Sequence, residues 1–213
     1  MPAKKEEVKK KSSKVEEVEV ILPPINVKTL TVGIVGKTPL IMDRFPEDVQ
    51  KEILAKQTGI SKSSKKKVRD VKKETEEAIH VTGNGEVGFP AAGFKRGMME
   101  ATSFVGDKFF SKKLVSGAVK IMNVEDGLIP IKYKKQDVLK HTIDHNMKFS
   151  PQFHGWSAEL VIQYDANNIA PQDIVTVLNY AGFYIGVGAW RPKCAKGGSG
   201  EYGQYEVKST KGK

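Results

Sequence analysis

The chain is 213 residues long, and 35 Lys plus Arg against 25 Asp plus Glu give a formal charge of +10. A length of this order suits one domain with a self-sufficient core, since about 70 % of the extended-chain surface is buried on folding. The lone Cys194 excludes an intramolecular disulfide and a cysteine-based zinc site, and no run reaches the roughly 18 apolar residues of a membrane span.

Residues 1–24 are Lys, Glu and Ser closing on Pro23 and Pro24, a composition that predicts a disordered tail without a secretion signal. A single domain is expected over 25–208 and a disordered C-terminus over 209–213. From Val27 the pattern alternates, with Leu30, Val32 and Ile34 on one face, which predicts a strand. Pro46 at a first helical position, Glu47 and Asp48 after it and Gly59 as terminator predict a short helix. Residues 62–69 lack periodicity and read as a mobile loop. Asn84-Gly85 between apolar alternations predicts a hairpin over 79–89.

Ala91, Phe94, Met98, Ala101 and Val105 recur at helical spacing, with Lys95, Arg96 and Glu100 on the other side, so 90–105 reads as an amphipathic helix. A second hairpin is expected from 115–121 and 128–133 around Glu125-Asp126-Gly127, followed by an irregular, Lys-rich stretch over 134–152. Trp156, Ala158, Leu160, Ile162 and Tyr164 alternate without a break and give the clearest strand. Pro171 opens a helix whose Ile174, Val177, Leu178 and Ala181 form a stripe, with Gly182 as its C-terminal stop. Phe183, Ile185 and Val187 then read as a strand, and Tyr205 and Val207 as the last. This order predicts an α+β, ferredoxin-like or RRM-like antiparallel sheet with two packed helices and basic loop insertions.

The charge is confined to two segments. Residues 62–73 carry seven basic side chains against one acidic, residues 191–213 carry six against two, and the intervening body is slightly acidic. Basic segments beside an acidic body suggest a polyanion held at a defined place. The stretch 186–203 holds six glycines, with Arg191, Lys193 and Lys196 among them and Trp190 and Tyr202 at its edges. Cations attract phosphates, glycine lets backbone N–H groups approach them, and an aromatic ring offers a base a stacking surface. No Gly-Lys-Ser/Thr opens a helix after this stretch, and a strand follows it, so neither a Walker loop nor a dinucleotide fingerprint fits. Lys95 and Arg96 stand where a strand hands over to a helix, a place that favours anions.

These segments resemble the RAMP superfamily, the RNA-recognition proteins of CRISPR systems, and within it the backbone subunit that coats guide RNA. Residues 89–97 are similar to the family's strand-to-helix segment, 186–203 to its glycine-rich loop, and Gly36 to Leu40 to its strand-end Ser-Pro-Leu. Pro192 replaces the second arginine of the family's usual pair, and the loop is long. The Lys-rich tail on a small domain is similar to phage-encoded proteins. The resemblance implies a single-stranded RNA or DNA partner, head-to-tail self-association into a filament, and residence in the cytoplasm of a prokaryotic or phage-infected cell.

The expected function is therefore non-enzymatic binding of single-stranded nucleic acid. Lys95, Arg96, Arg191, Lys193 and Lys196 would neutralise phosphates, Gly197, Gly198 and Gly200 would donate N–H groups, and Trp190 would stack. Lys62, Lys65, Lys66, Lys67 and Arg69 would form a basic flap over the strand. No metal or cofactor is expected, because His141 and His145 have no third ligand nearby. Two alternatives stand beside this reading: a metal-independent endoribonuclease using His80, His141 or His145, and a phage-type protein that docks an acidic host partner.

Overall fold

The alternation from Val27 onward builds strand β1 (Val27–Gly36), which buries Leu30, Val32 and Ile34. In this computed structural model residues 24–59, 69–106, 110–143, 146–193 and 200–212 are described. All of the expected 1–24 tail but Pro24, and most of the expected basic flap, including Lys62, Lys65, Lys66 and Lys67, lie outside them. So do Cys194, Lys196, Gly197, Gly198 and His145.

The unbroken alternation near residue 160 forms β8 (Ser157–Asp165), antiparallel to β1 with Val32 opposite Leu160 and Leu30 opposite Ile162. Strand β9 (Tyr205–Gly212) pairs with the other side of β1, from Gly36 opposite Tyr205 to Leu30 opposite Gly212. The chain expected to be disordered from 209 is thus a paired strand through Gly212. Its Ser, Thr and Lys side chains carry no apolar signal because they are exposed.

On the far side of β8 two short strands follow one another. β4 (Val119–Ile121) places Val119 opposite Tyr164, and β5 (Leu128–Lys132) places Ile131 opposite Ala158. The expected hairpin between them is corrected: both pair with β8 instead of with each other. Residues Lys112–Ala118 are helix α4, capped by Ser111 Oγ, which accepts from the Leu114 N–H at 3.2 Å. Val115 of this helix and Val119 of β4 are both buried and four residues apart, a spacing that reads as alternation along one strand. The Glu125-Asp126-Gly127 turn does form, with Asp126 and Gly127 at positive φ. β3 (Gly88–Pro90) adds to β5, and the sheet order is β3-β5-β8-β1-β9. This all-antiparallel order is compatible with the ferredoxin-like arrangement expected from the sequence.

Helix α3 (Ala91–Ala101) and helix α5 (Pro171–Tyr180) pack together on the sheet. Their Phe94, Met98, Ile174, Val177 and Leu178 are buried in one core with Leu30, Val32, Ile34, Leu160 and Ile162. Each large aliphatic or aromatic group fully withdrawn from water contributes about 1.5–3 kcal/mol. Trp156, also fully buried, donates its indole Nε1–H to the Thr38 carbonyl at 2.8 Å.

Two further expectations are corrected. Residues 134–152 hold a long hairpin of β6 (Lys135–Ile143) and β7 (Asn146–His154), and β2 (Leu40–Ile41) joins β7 with Leu40 opposite Phe153. Most of β6 is exposed or half-buried, so no apolar period marked it. Residues 183–187 are not a strand. α5 runs on into a π-helical turn, Ala181–Ile185, closed by the Gly186 N–H to the Ala181 carbonyl at 2.8 Å. The terminator is Gly186, with φ near 66°, and Gly182 is buried inside the turn.

Helix α1 (Glu47–Gln57) forms, but Pro46 is its N-cap and not its first helical residue, and Val49, Ile53 and Leu54 stay exposed. The expected 79–89 hairpin narrows to the Asn84-Gly85 turn and a single Val81–Val87 bridge. Helix α2 (Val71–Glu77) is capped by Asp70, whose carboxylate accepts from the Lys72 and Lys73 N–H groups. Among the described residues no helix is long and apolar enough to cross a membrane.

Candidate nucleic-acid interface

The start of α3 and the loop after the π-turn, far apart in the chain, face one another across a cleft of about 410 Å³. On the α3 side, Ala92 and Gly93 line it from the first turn, where backbone N–H groups have no acceptor within the helix. Arg96 follows one turn on, then Glu100. Pro90 at the N-cap offers no side-chain acceptor, and the Ala91 N–H is bound by the Gly127 carbonyl at 2.9 Å. Gly93 is required there because a Cβ would lie 2.7 Å from the Phe89 ring, which packs edge-on against Phe94 at 5.5 Å.

Arg191 lines the opposite side. Its Nε donates to the Lys193 carbonyl at 3.0 Å and its Nη1 to the Gly188 carbonyl at 3.5 Å, so the loop holds the guanidinium in place. The loop is in turn fixed to the body: the Ala189 N–H binds the Ile41 carbonyl, and the Val187 N–H binds the Gly203 carbonyl. Gly188 and Gly203 have φ near 83° and 68°, and a Cβ on either would overlap a backbone carbonyl, of Ile41 and Val187 respectively. Gly200 lies against the Trp190 carbonyl in the same way. These three glycines allow backbone to pack on backbone, whereas the sequence assigned glycine in this loop to phosphate.

Two carboxylates also line the cleft, and each has a lysine beside it. Asp43 pairs with Lys148, and the Glu100 Oε2 lies 4.0 Å from the Lys193 Nζ. Among the described residues the ion pairs include neither Arg96 nor Arg191. Among the described residues, therefore, both guanidinium groups border the cleft without a carboxylate of their own. His80 borders it as well, and burial together with the positive charge of Arg44 holds its imidazole below the usual histidine range, favouring the neutral ring.

The other candidates are placed differently. Lys95 is half-buried and does not line the cleft. Trp190, at φ 57°, stands outside the lining and meets His141 edge to face at 5.1 Å. Arg69 is taken up by structure: its guanidinium forks onto Glu74 at 2.8 and 2.6 Å and donates to the Met147 carbonyl at 2.7 Å, tying α2 to the β6–β7 hairpin. Among the described residues no three His, Cys, Asp or Glu side chains converge on a metal position.

Asp43 was not singled out in the sequence, and Glu100 was read only as part of the polar face of 90–105, with nothing to mark either as a cleft residue. The aromatic residues Phe104, Tyr180, Phe183 and Tyr184 were absorbed into a helix and an expected strand, yet they meet at the surface beyond Glu100. No protein-family model matches the chain, and no curated protein matches its sequence.

Proposed function

We propose that the protein binds single-stranded nucleic acid without cleaving it, holding phosphates between Arg96 and Arg191. The observation that carries this reading is the convergence of two basic motifs in one cleft whose carboxylates already face lysines. The first turn of α3 adds oriented N–H groups on the same wall, and such an arrangement favours a phosphate over a neutral ligand. A RAMP-like protein that coats a strand as a head-to-tail oligomer, in the cytoplasm of a prokaryotic or phage-infected cell, is the form of this proposal that the sequence motifs suggest.

The test is a fluorescence-anisotropy titration of a labelled strand of roughly 30 nucleotides, as RNA and as DNA, at two salt concentrations with a duplex control. Wild type should bind single strands in preference to duplex, with strong salt dependence. Replacing both Arg96 and Arg191 by Ala should flatten the log Kd against log salt plot by about 1.4, at about 0.7 per phosphate contact for single strands. Wild type that binds no strand, or a double variant with an unchanged slope, overturns the assignment. Light scattering with and without a long oligonucleotide tests the head-to-tail assembly, which a monomer under both conditions removes.

One observation favours a second reading, an endoribonuclease: His80 stands on the same cleft with its neutral form favoured, as a general base requires. Labelled RNA kept with micromolar protein in EDTA separates the two. Intact RNA after hours supports the binder, and His80-dependent cleavage supports the enzyme.

A further inference from the structure

Beyond Glu100 the cleft gives way to four aromatic side chains. α3 ends in a single 3-10 turn, Thr102–Phe104, which carries Phe104 to the surface. The π-turn after α5 buries Ala181, Gly182 and Ile185 and leaves Phe183 and Tyr184 outside. An extra residue in a helical turn rotates the side chains that follow, and here it turns two aromatics outward. Phe104 and Tyr184 stack face to face, with centroids 4.6 Å apart and planes within 6°. Tyr180 continues the stack at 5.6 Å, and Phe183 stands edge-on to Tyr184 at 5.0 Å. Phe183 is 65 % exposed, and Phe104 and Tyr184 are 41 % and 43 % exposed.

This group is joined to the cleft by charge. Lys193 Nζ lies 5.7 Å from the Phe104 ring centroid and 4.0 Å from the Glu100 carboxylate, which borders the cleft. A ligand reaching from the Arg96–Arg191 pair to the rings therefore passes a third cation. A partner that is only apolar has no use for these cations, and a partner that is only anionic has no use for the rings. A polyanion bearing flat aromatic groups uses both.

Resting on the nucleic-acid reading above, we propose that the Phe104–Tyr184–Tyr180 stack and the ring of Phe183 form the platform on which bases of the bound strand stack. Trp190, the ring that the sequence suggests for this role, lies outside the cleft against His141. The platform takes the bases that follow the phosphates held by Arg96 and Arg191, and it is indifferent to base identity because every base presents a π-face.

The experiment compares two single strands of equal length, one ordinary and one carrying a central abasic stretch, against wild type, Phe183→Leu and Phe104→Leu, with each variant's thermal unfolding recorded. Phe183 is exposed enough for its replacement to leave the fold intact, and it provides the reading if Phe104→Leu is unstable. Each substitution should weaken binding of the ordinary strand about 5- to 150-fold, the fold-change that corresponds to about 1–3 kcal/mol per stacked base. It should leave the abasic strand's affinity and the salt slope unchanged, since no cation is removed. If wild type binds and Phe183→Leu binds the ordinary strand equally well, the platform is overturned while the cleft stands. If wild type binds neither strand, the nucleic-acid reading falls and the platform with it. Substitutions that change sedimentation of the free protein but not strand binding assign the rings to a second copy of the chain, which also overturns the proposal.

Discussion

Two glycines in this fold should respond to the same substitution with opposite signs. Gly182 sits in the π-turn with its φ outside the left-handed range, so alanine there meets no backbone strain. The obstacle is steric: a Cβ would overlap the Tyr205 carbonyl oxygen, with the carbonyl carbon and ring Cδ2 each 2.8 Å away. Tyr205 cannot retreat easily, because it pairs with Gly36 in the sheet and its ring packs between Phe94 and Trp156, each at 6.0 Å. Forcing a methyl into a packed site costs about 1–3 kcal/mol, and a rigid backbone neighbour places Gly182→Ala in the upper part of that range. For a chain of this size that lowers Tm by about 4–12 °C. Gly97, in the middle of α3, is the control. Its nearest neighbour is the Ala181 Cβ at 3.7 Å, an ordinary contact, so Gly97→Ala should stabilise by about 0.5–1 kcal/mol through helix propensity and a less flexible unfolded chain. Urea and thermal unfolding of both variants read the two signs. A Gly182→Ala protein as stable as wild type would refute the close approach of the turn to β9, and loss of stability in Gly97→Ala would refute the spacing between α3 and the turn.

Phe94 is fully buried between Phe89 and Tyr205, and Phe94→Ala should cost about 3–5 kcal/mol in urea unfolding, against under 1 kcal/mol for a surface control. Glu74 is held below the usual carboxylate range chiefly by its hydrogen bond to Arg69. Its contribution is present above the unfolded carboxylate pKa and lost as pH falls through the lower folded value, so Arg69→Ala should raise the Glu74 pKa read by NMR and remove that acid-side slope. His80 is lowered by burial and then by Arg44, and His141 by burial and then by Lys148. The unfolded chain then binds more protons, so stability falls as pH drops below the ordinary histidine value of about 6.5, and His80→Gln should make unfolding less pH-sensitive there.

Where burial alternates, the sequence announced the structure. β1, β8, α3 and the stripe of α5 each show one apolar face against one core, and their residues lie where the period places them. The failures share a physical cause. β6 and the end of β9 bury little, so their pairing rests on backbone hydrogen bonds that leave no trace in side-chain pattern. In 112–119 the buried Val115 of a short helix and the buried Val119 of the strand after it together imitate alternation, and after Tyr180 the π-turn breaks both periods at once. For the cleft, Arg96 and Arg191 were legible as basic residues in glycine-rich surroundings. That Lys193 would stand against Glu100, that Trp190 would turn to His141, and that Arg69 would be spent on Glu74 depends on contacts between distant segments, which spacing along the chain does not encode.

Sheet edges decide how copies of a protein can meet. β3, at one end of the main sheet, is three residues long and finishes in Pro90, which has no N–H to offer. At the other end β9 presents Lys208 and Lys211 along an exposed margin, and β6 lines the outside of the hairpin with Lys135, Asp137 and Lys140. Short length, proline and charge are three ways of blunting an edge against strand addition. Self-association of this chain would then run through side-chain surfaces and not through strands added at either edge, so the sheet of one copy would end where that copy ends.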